Sequence, residues 1–204
     1  MYVMGDRIDE LARAFERFPG IGPRQAKRFV YHLLGATPSD RSRLSNLITK
    51  LGSDIHQCTM CMRFAPTNSA SLCGYCEDVS RDNTLLMIVE KDQDLTAVER
   101  ANAYRGRYFV LGGIITLTGK GSIRERDLVR VVEARAKQGL SEIVLALSAT
   151  NEGEHTADRV RALLQPLRSS LKITELGRGL ATGSELEYSD PQTLSSALQN
   201  RKET

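Results

Sequence analysis

Four cysteines constrain this chain more than any other feature, because they stand as two C-x-x-C pairs, Cys58–Cys61 and Cys73–Cys76. They are the only cysteines in the 204 residues, and eleven residues separate the two pairs. Each pair can present two sulfur atoms from one tight turn. Four thiolates can surround a Zn²⁺ ion tetrahedrally, with Zn–S bonds of about 2.3 Å. We therefore predict one structural zinc ion, with Cys58, Cys61, Cys73 and Cys76 as its ligands.

Two other interpretations of the cysteines remain open on the sequence. His56 lies two residues before the first pair and could replace one sulfur ligand, although four cysteines complete the site without it. A redox protein would need one reactive pair near a helix N-terminus. Two matched pairs favour the metal site over that function.

The sequence predicts a cytoplasmic protein that does not associate with a membrane. No apolar run approaches the roughly 20 residues needed to cross a bilayer. Residues 1–10 include three acidic side chains and lack the apolar centre of a signal peptide. The reducing cytosol in turn favours a metal site over two disulfides.

Helical periodicity dominates the chain before the cysteines. Apolar residues recur at helical spacing over 6–17, over 24–34 and over 38–56. Ser39 or Asp40 is expected to cap the third helix.

The turn between the first two helices, residues 18–23, contains Gly20 and Gly22, and Pro23 suits the first turn of a new helix. Such a turn exposes backbone N–H groups that suit a phosphate. Arg24, Lys27 and Arg28 follow on the polar face of the second helix and predict DNA binding through phosphates. A solvated basic face is the alternative interpretation.

The charge distribution agrees with this position for the DNA site. Residues 1–57 contain nine Lys and Arg against six Asp and Glu, so they carry the whole net charge of +3. An excess of that size is too small to identify a nucleic-acid-binding protein by itself.

After the cysteines the pattern changes to alternating strands and helices. Strands are predicted over 84–90, 108–111, 142–147 and 171–176, with helices over 92–103, 124–138 and 153–169 between them and a tail helix over 191–198. This order predicts an α/β unit with a mostly parallel sheet and helices on both faces. Ligand or partner sites then belong at the carboxyl ends of the strands. Glu90 lies at one such end, and Glu152 and Glu154 follow another.

In their order along the chain, several segments together resemble the RecR family of bacterial recombination mediators over essentially the whole length. The segments are Pro19-Gly20-Ile21-Gly22-Pro23-Arg24, the two C-x-x-C pairs, Ile88-Val89-Glu90 with Asp94 and Ala97-Val98-Glu99, Tyr104–Gly113, Glu152-Gly153-Glu154, Arg178-Gly179-Leu180 and Glu185–Tyr188. No single segment is decisive, and their combination carries the resemblance.

The resemblance implies a domain organisation and a fold. Residues 1–57 would form a helical region with a helix-hairpin-helix motif, and 58–80 a four-cysteine zinc finger. Residues 81–176 would form a Toprim domain, and 177–204 a glycine-rich segment with a C-terminal helix that takes part in oligomerisation.

The resemblance also implies a function without catalysis. Such a protein would self-associate to dimers and a ring-like tetramer, bind single- and double-stranded DNA, and act near the bacterial nucleoid. It would work with RecO, and with RecF where present, to help load RecA onto DNA coated by single-strand-binding protein. Glu90, Asp94, Glu152 and Glu154 would form its partner-binding surface.

The alternative is a Mg²⁺-dependent Toprim enzyme, a nuclease, primase or topoisomerase. Catalytic Toprim domains pair a glutamate after the first strand with an Asp-x-Asp after the third, and these acids bind Mg²⁺. In this chain Ser148 and Thr150 stand at the two aspartate positions and cannot supply anionic ligands. The sequence therefore favours the binding function.

Overall fold

The computed structural model of the protein describes residues 6–67, 71–168 and 171–201. The chain forms two compact units that divide between Ile55 and His56. The first unit is helical, and the second contains the four cysteines, the main sheet and the C-terminal segment. In the part of the chain that the structure describes, no helix is long and apolar enough to cross a membrane.

The first unit contains three helices, α1 (Asp6–Glu16), α2 (Pro23–Gly35) and α3 (Pro38–Asp54). They confirm the three helices predicted from periodicity. The small side chains of Ala12, Ala26 and Val30 are buried between α1 and α2 and bring the two helices close together.

The third helix differs from its prediction in two respects. The expected cap at Ser39 or Asp40 is wrong, because Thr37 is the N-cap and its hydroxyl oxygen accepts a hydrogen bond of 3.1 Å from the Asp40 N–H. Pro38 occupies the first helical position, where a missing N–H costs nothing, so α3 begins at the predicted residue, but it ends at Asp54 and not at the expected His56. No residue of α3 is buried, although its apolar side chains follow helical spacing.

The second unit begins around the cysteines and continues as alternating strands and helices. Its elements are β1 (Ile55–Gln57, starting at the unit boundary), β2 (Phe64–Pro66), α4 (Gly74–Glu77), β3 (Asp82–Val89), α5 (Asp92–Ala101), β4 (Gly106–Val110), α6 (Glu125–Ala136), β5 (Glu142–Ala146), α7 (Asn151–Leu164), β6 (Lys172–Glu175) and α8 (Pro191–Gln199). Short 3-10 helices lie at Gln165–Leu167 and Leu186–Tyr188.

The main sheet has four parallel strands in the order β4-β3-β5-β6, which confirms the predicted parallel sheet. Alternate residues of β3 point to opposite faces. Leu86 and Ile88 pack in a cluster with side chains of α6 and α7, whereas Met87 and Val89 pack with Leu95 of α5. Helices therefore cover both faces, as the sequence predicts.

The strand order places a topological switch point between β3 and β5. From β3 the chain adds β4 on one side, and then returns to add β5 on the other side. The carboxyl ends of these two central strands meet at this point, where α/β proteins bind ligands.

The helix after β5 begins at Asn151, not at the expected Gly153. The Thr150 hydroxyl caps it by accepting a hydrogen bond of 3.1 Å from the Gly153 N–H. This α-helix ends at Leu164, just before the 3-10 turn that contains Pro166. The predicted helix end at Ser169 lies outside the described residues.

Candidate functional site

The structure brings the four cysteines of the second unit together. Their Sγ atoms all lie within 4.8 Å of one another, and the Sγ atoms of Cys61 and Cys73 are 3.4 Å apart. Sulfur atoms at the corners of a tetrahedron with bonds of about 2.3 Å are about 3.8 Å apart. The group therefore has the donor set and spacing for a four-thiolate metal site, and zinc fits it.

Backbone hydrogen bonds form the two turns that present the sulfur atoms. The N–H of Met62 donates to the carbonyl of Cys58 over 2.9 Å, and the N–H of Cys76 donates to the carbonyl of Cys73 over 2.8 Å. Met62 has a φ of 61°, in the left-handed region that turns the chain out of the first pair.

Burial and mutual hydrogen bonding prepare the thiols for a metal. Cys58, Cys61 and Cys73 are buried, and Cys76 is half-buried. A hydrogen bond from Cys61 is the largest influence on the pKa of Cys58 and holds it well below the usual range. The same hydrogen bond raises the pKa of Cys61, so the thiol of Cys61 holds its proton while Cys58 ionises. Metals bind the thiolate form, and metal binding therefore releases the protons that remain on the cysteines.

The first cysteine turn is fixed to the main sheet. The carbonyl oxygen of Cys61 accepts a hydrogen bond of 2.8 Å from the N–H of Val110 at the end of β4. The Arg124 guanidinium donates to the carbonyls of Met62 and Val110, at 3.0 and 2.9 Å. The metal site thus forms one body with the α/β part of this unit.

His56 does not join the ligand group. Both of its ring nitrogens are buried without a hydrogen-bond partner among the described residues, and the metal-binding group contains only the four cysteines. Its place as an alternative ligand is therefore not supported by the geometry.

The turn between α1 and α2 leaves the start of α2 without a side-chain cap. Gly20 has a φ of +77°, which suits glycine, whereas Gly22 is extended and forms the N-cap of α2. Gly22 has no side chain to cap the helix, and Pro23 occupies the first turn. The backbone N–H groups at this end therefore remain available for an anion.

The predicted DNA-binding side chains differ in how free they are. Arg24 and Arg28 are exposed, and Arg28 makes only a 3.4 Å hydrogen bond to Gln25. Lys27 pairs with Asp9 of α1 over 3.3 Å, so part of its charge is balanced within the hairpin. The two arginines are thus the better placed cations for a phosphate.

The predicted acidic side chains lie near the switch point of the sheet but do not form one cluster. Glu90 is only 6% exposed, and its carboxylate accepts a hydrogen bond of 2.7 Å from the N–H of Ser148. Asp94 caps its own helix by accepting from the Lys91 N–H, and Glu154 forms an ion pair with Arg178. Each of these three carboxylates therefore already has a partner.

Two hydroxyl side chains lie together at this edge of the sheet. The hydroxyls of Ser148 and Thr150, at the positions where catalytic Toprim domains have aspartates, are 3.2 Å apart and bind each other. Among the described residues, only the cysteines gather three or more His, Cys, Asp or Glu donors for one metal. The tight loop also needs Gly153, because a Cβ there would lie 1.9 Å from the Ser148 carbonyl oxygen.

An ion pair that sequence reasoning missed joins Arg81, the residue before β3, to Glu99 of α5. Arg81 donates to Glu99 over 2.6 Å and lies 4.8 Å from the ring centre of Tyr75, between two cysteines. Tyr108 donates to the other oxygen of Glu99. Burial alone raises the pKa of Glu99, but the hydrogen bonds from Arg81 and Tyr108 outweigh it and hold that pKa below its usual value. In the sequence analysis Glu99 appears only among the segments that resemble the family. Hydrophobic periodicity does not reveal that a charged side chain will be buried.

Fold and sites together define a Toprim-domain protein that also has a helix-hairpin-helix module. Three family descriptions match the chain in order: "RecR, helix-hairpin-helix" over residues 8–51, "Toprim domain" over 84–176, and "RecR, C-terminal" over 179–202.

Curated relatives named Recombination protein RecR match nearly the full length. The protein of Frankia alni is 38% identical over 202 residues, covering 98% of this chain and 96% of the relative. The protein of Thermobifida fusca is 38% identical to this chain over 199 residues, covering 96% of the chain and 94% of the relative. That of Desulforudis audaxviator is 39% identical over 202 residues, covering 98% of the chain and 96% of the relative. The chain therefore belongs to the RecR family of recombination proteins.

Proposed function

We propose that the protein is a DNA-binding mediator of recombinational repair that catalyses no reaction itself. It encircles DNA as a ring-like assembly and works with RecO, and with RecF where present, to help load RecA onto DNA coated by single-strand-binding protein. The observation that carries this proposal is the uncapped start of α2 beside the exposed Arg24 and Arg28. Backbone N–H groups and guanidinium groups at one helix end suit DNA phosphates of any sequence.

Cys58, Cys61, Cys73 and Cys76 bind one structural Zn²⁺ ion. A four-cysteine set without an open position stabilises a fold and leaves no place for substrate. The ion fixes the two cysteine turns. Hydrogen bonds from β4 and from Arg124 attach the first of these turns to the sheet. The role of the ion is to hold this region together, since among the described residues the buried cluster around the cysteines contains Ala65 as its only other buried apolar residue.

The acidic side chains at the carboxyl edge of the sheet contribute a docking surface for a basic partner such as RecO. Asp94, Glu152 and Glu154 are half-buried and can present negative charge. Glu90 is buried, so it contributes by fixing the Ser148 loop. A basic partner would compete with Arg178 for Glu154.

Self-association is supported by apolar surface in the first unit. The three helices line an apolar groove of about 560 Å³, whose lining includes Leu11, Phe18, Leu44 and Ile48. These side chains are more than a third exposed. Exposed apolar surface of this kind marks a protein–protein interface, and a second copy of the chain fits the ring expected from the family resemblance.

Incubation with DNA and a divalent metal separates this function from the enzyme alternative. We expect prolonged incubation with Mg²⁺ or Mn²⁺ to leave plasmid and single-stranded DNA covalently unchanged, because Ser148 and Thr150 supply no anionic metal ligands. Denaturing gels measure the result, with an established Mg²⁺-dependent nuclease as the positive control. Cleavage that Glu90→Ala abolishes would show that the protein is an enzyme.

A further inference from the structure

Two arginines near the cysteines are buried without a carboxylate partner. Arg107 is 6% exposed and Arg135 is 4% exposed. None of the ion pairs among the described residues includes either side chain. The neighbouring buried Arg81, by contrast, pairs with Glu99.

The contacts of Arg107 place its charge beside the second cysteine pair. Its guanidinium donates to the carbonyl oxygens of Tyr75 and Cys76, at 2.9 and 3.1 Å, and to the side-chain oxygen of Asn83 at 2.8 Å. These acceptors are all neutral. They satisfy its hydrogen bonds without forming an ion pair, and the one carboxylate on which its charge is seen to act is the exposed Asp78.

Arg135 lies on α6, the helix that runs along the first cysteine pair. Arg130 of the same helix donates to the carbonyl of Thr59, between Cys58 and Cys61, over 2.9 Å. The Nε atom of Arg135 is buried and has no hydrogen-bond partner among the described residues.

The cysteines lie within electrostatic reach of Arg135. Burial lowers the pKa of Arg135, and the thiolate charge of Cys76 opposes this most strongly, followed by Cys61 and Cys58. Arg107 acts with burial to lower the same pKa, so the two cations also repel each other. An isolated buried charge is costly, and two like charges need a buried anion to balance them.

We propose that Arg107 and Arg135 are positioning residues of the metal site that balance the charge of a four-thiolate zinc complex. This inference rests on the proposed zinc ion. Four thiolates and one Zn²⁺ leave two negative charges, and two guanidinium groups supply two positive charges. The complex and the arginines thus make each other's burial possible, and loss of either arginine weakens metal retention.

Zinc release from the full-length protein tests the assignment. We expect Arg135→Met, which removes the charge and keeps an apolar stem, to release zinc to a chromogenic chelator about 10-fold faster than wild type, in line with the effects of other outer-shell partners. Arg135→Lys, which keeps the charge, should fall between the two. Arg130→Met is the matched control, because this arginine lies on the same helix and donates to the first cysteine turn but is exposed and paired with Asp127.

The outcomes distinguish this assignment from the proposed zinc site itself. Zinc release from a folded Arg135→Met variant at the wild-type rate would overturn the charge-balancing role. Arg135→Gln, neutral but able to hydrogen-bond, provides the same comparison if the methionine variant does not fold. Wild-type protein that contains no zinc would instead contradict the metal site on which the inference rests.

Discussion

Replacing Cys61 with serine is expected to abolish zinc binding and unfold the region between residues 58 and 76. Few buried apolar side chains surround the cysteines, so burial supplies little stability there. In small four-ligand knuckles metal binding and folding are one equilibrium, with apparent binding free energies of about 10–16 kcal/mol. Metal analysis and far-UV circular dichroism of the purified variant measure the loss.

Thr59→Ser is the matched control for this variant. Thr59 lies in the same turn as Cys61, but its side chain is exposed and is not a ligand. This variant should retain one zinc ion per chain. Chelation of wild-type protein should reproduce the effect of Cys61→Ser. A wild-type preparation without zinc, or a Cys61→Ser variant that retains it, would contradict the structural role of the metal.

The double change Arg24→Ala with Arg28→Ala is expected to weaken DNA binding for every sequence. Each guanidinium that contacts a phosphate contributes about 1.5 kcal/mol or more, so the pair should lower affinity by about 100-fold. Loss of two phosphate contacts should also reduce the slope of log affinity against log salt by about 1.4 on single strands. Fluorescence anisotropy with labelled single strands across a salt series measures both quantities.

Arg43→Ala with Lys50→Ala is the control for this experiment. It removes two exposed positive charges from α3, in the same helical unit, but away from the start of α2. We expect it to change affinity and salt slope much less. Equal effects of the two double variants would mean that only the overall charge of the unit matters, and that the helix start is not the site.

The sequence predicts the main elements of the fold because their signals are local. Continuous apolar runs such as 84–89 identify buried parallel strands, and helical spacing identifies the three N-terminal helices. The cysteine spacing likewise predicts the metal-binding group that the structure assembles. A helix start shifts where one side chain decides the cap, as at Thr150, and at Thr37 the capping residue differs from the expected one while the start does not.

The features that the sequence does not predict depend on contacts between distant segments. Arg107 and Arg135 look like surface cations in the sequence, and their burial becomes visible only when β4 and α6 pack beside the cysteines. Glu90 directly follows a strand, a position typical of a ligand-binding residue. Its carboxylate instead accepts a hydrogen bond from the loop after β5. The apolar stripe of α3 suggests a buried face, but no residue of α3 is buried. Periodicity detects such a face without revealing what covers it.

The mass of the full chain in solution, measured by light scattering with and without single-stranded DNA, tests the clamp most directly. A ring-like assembly requires several copies, and we expect four times the mass of one chain, with the DNA mass added when it binds. A single-chain mass under both conditions would contradict the proposal that this protein encircles DNA.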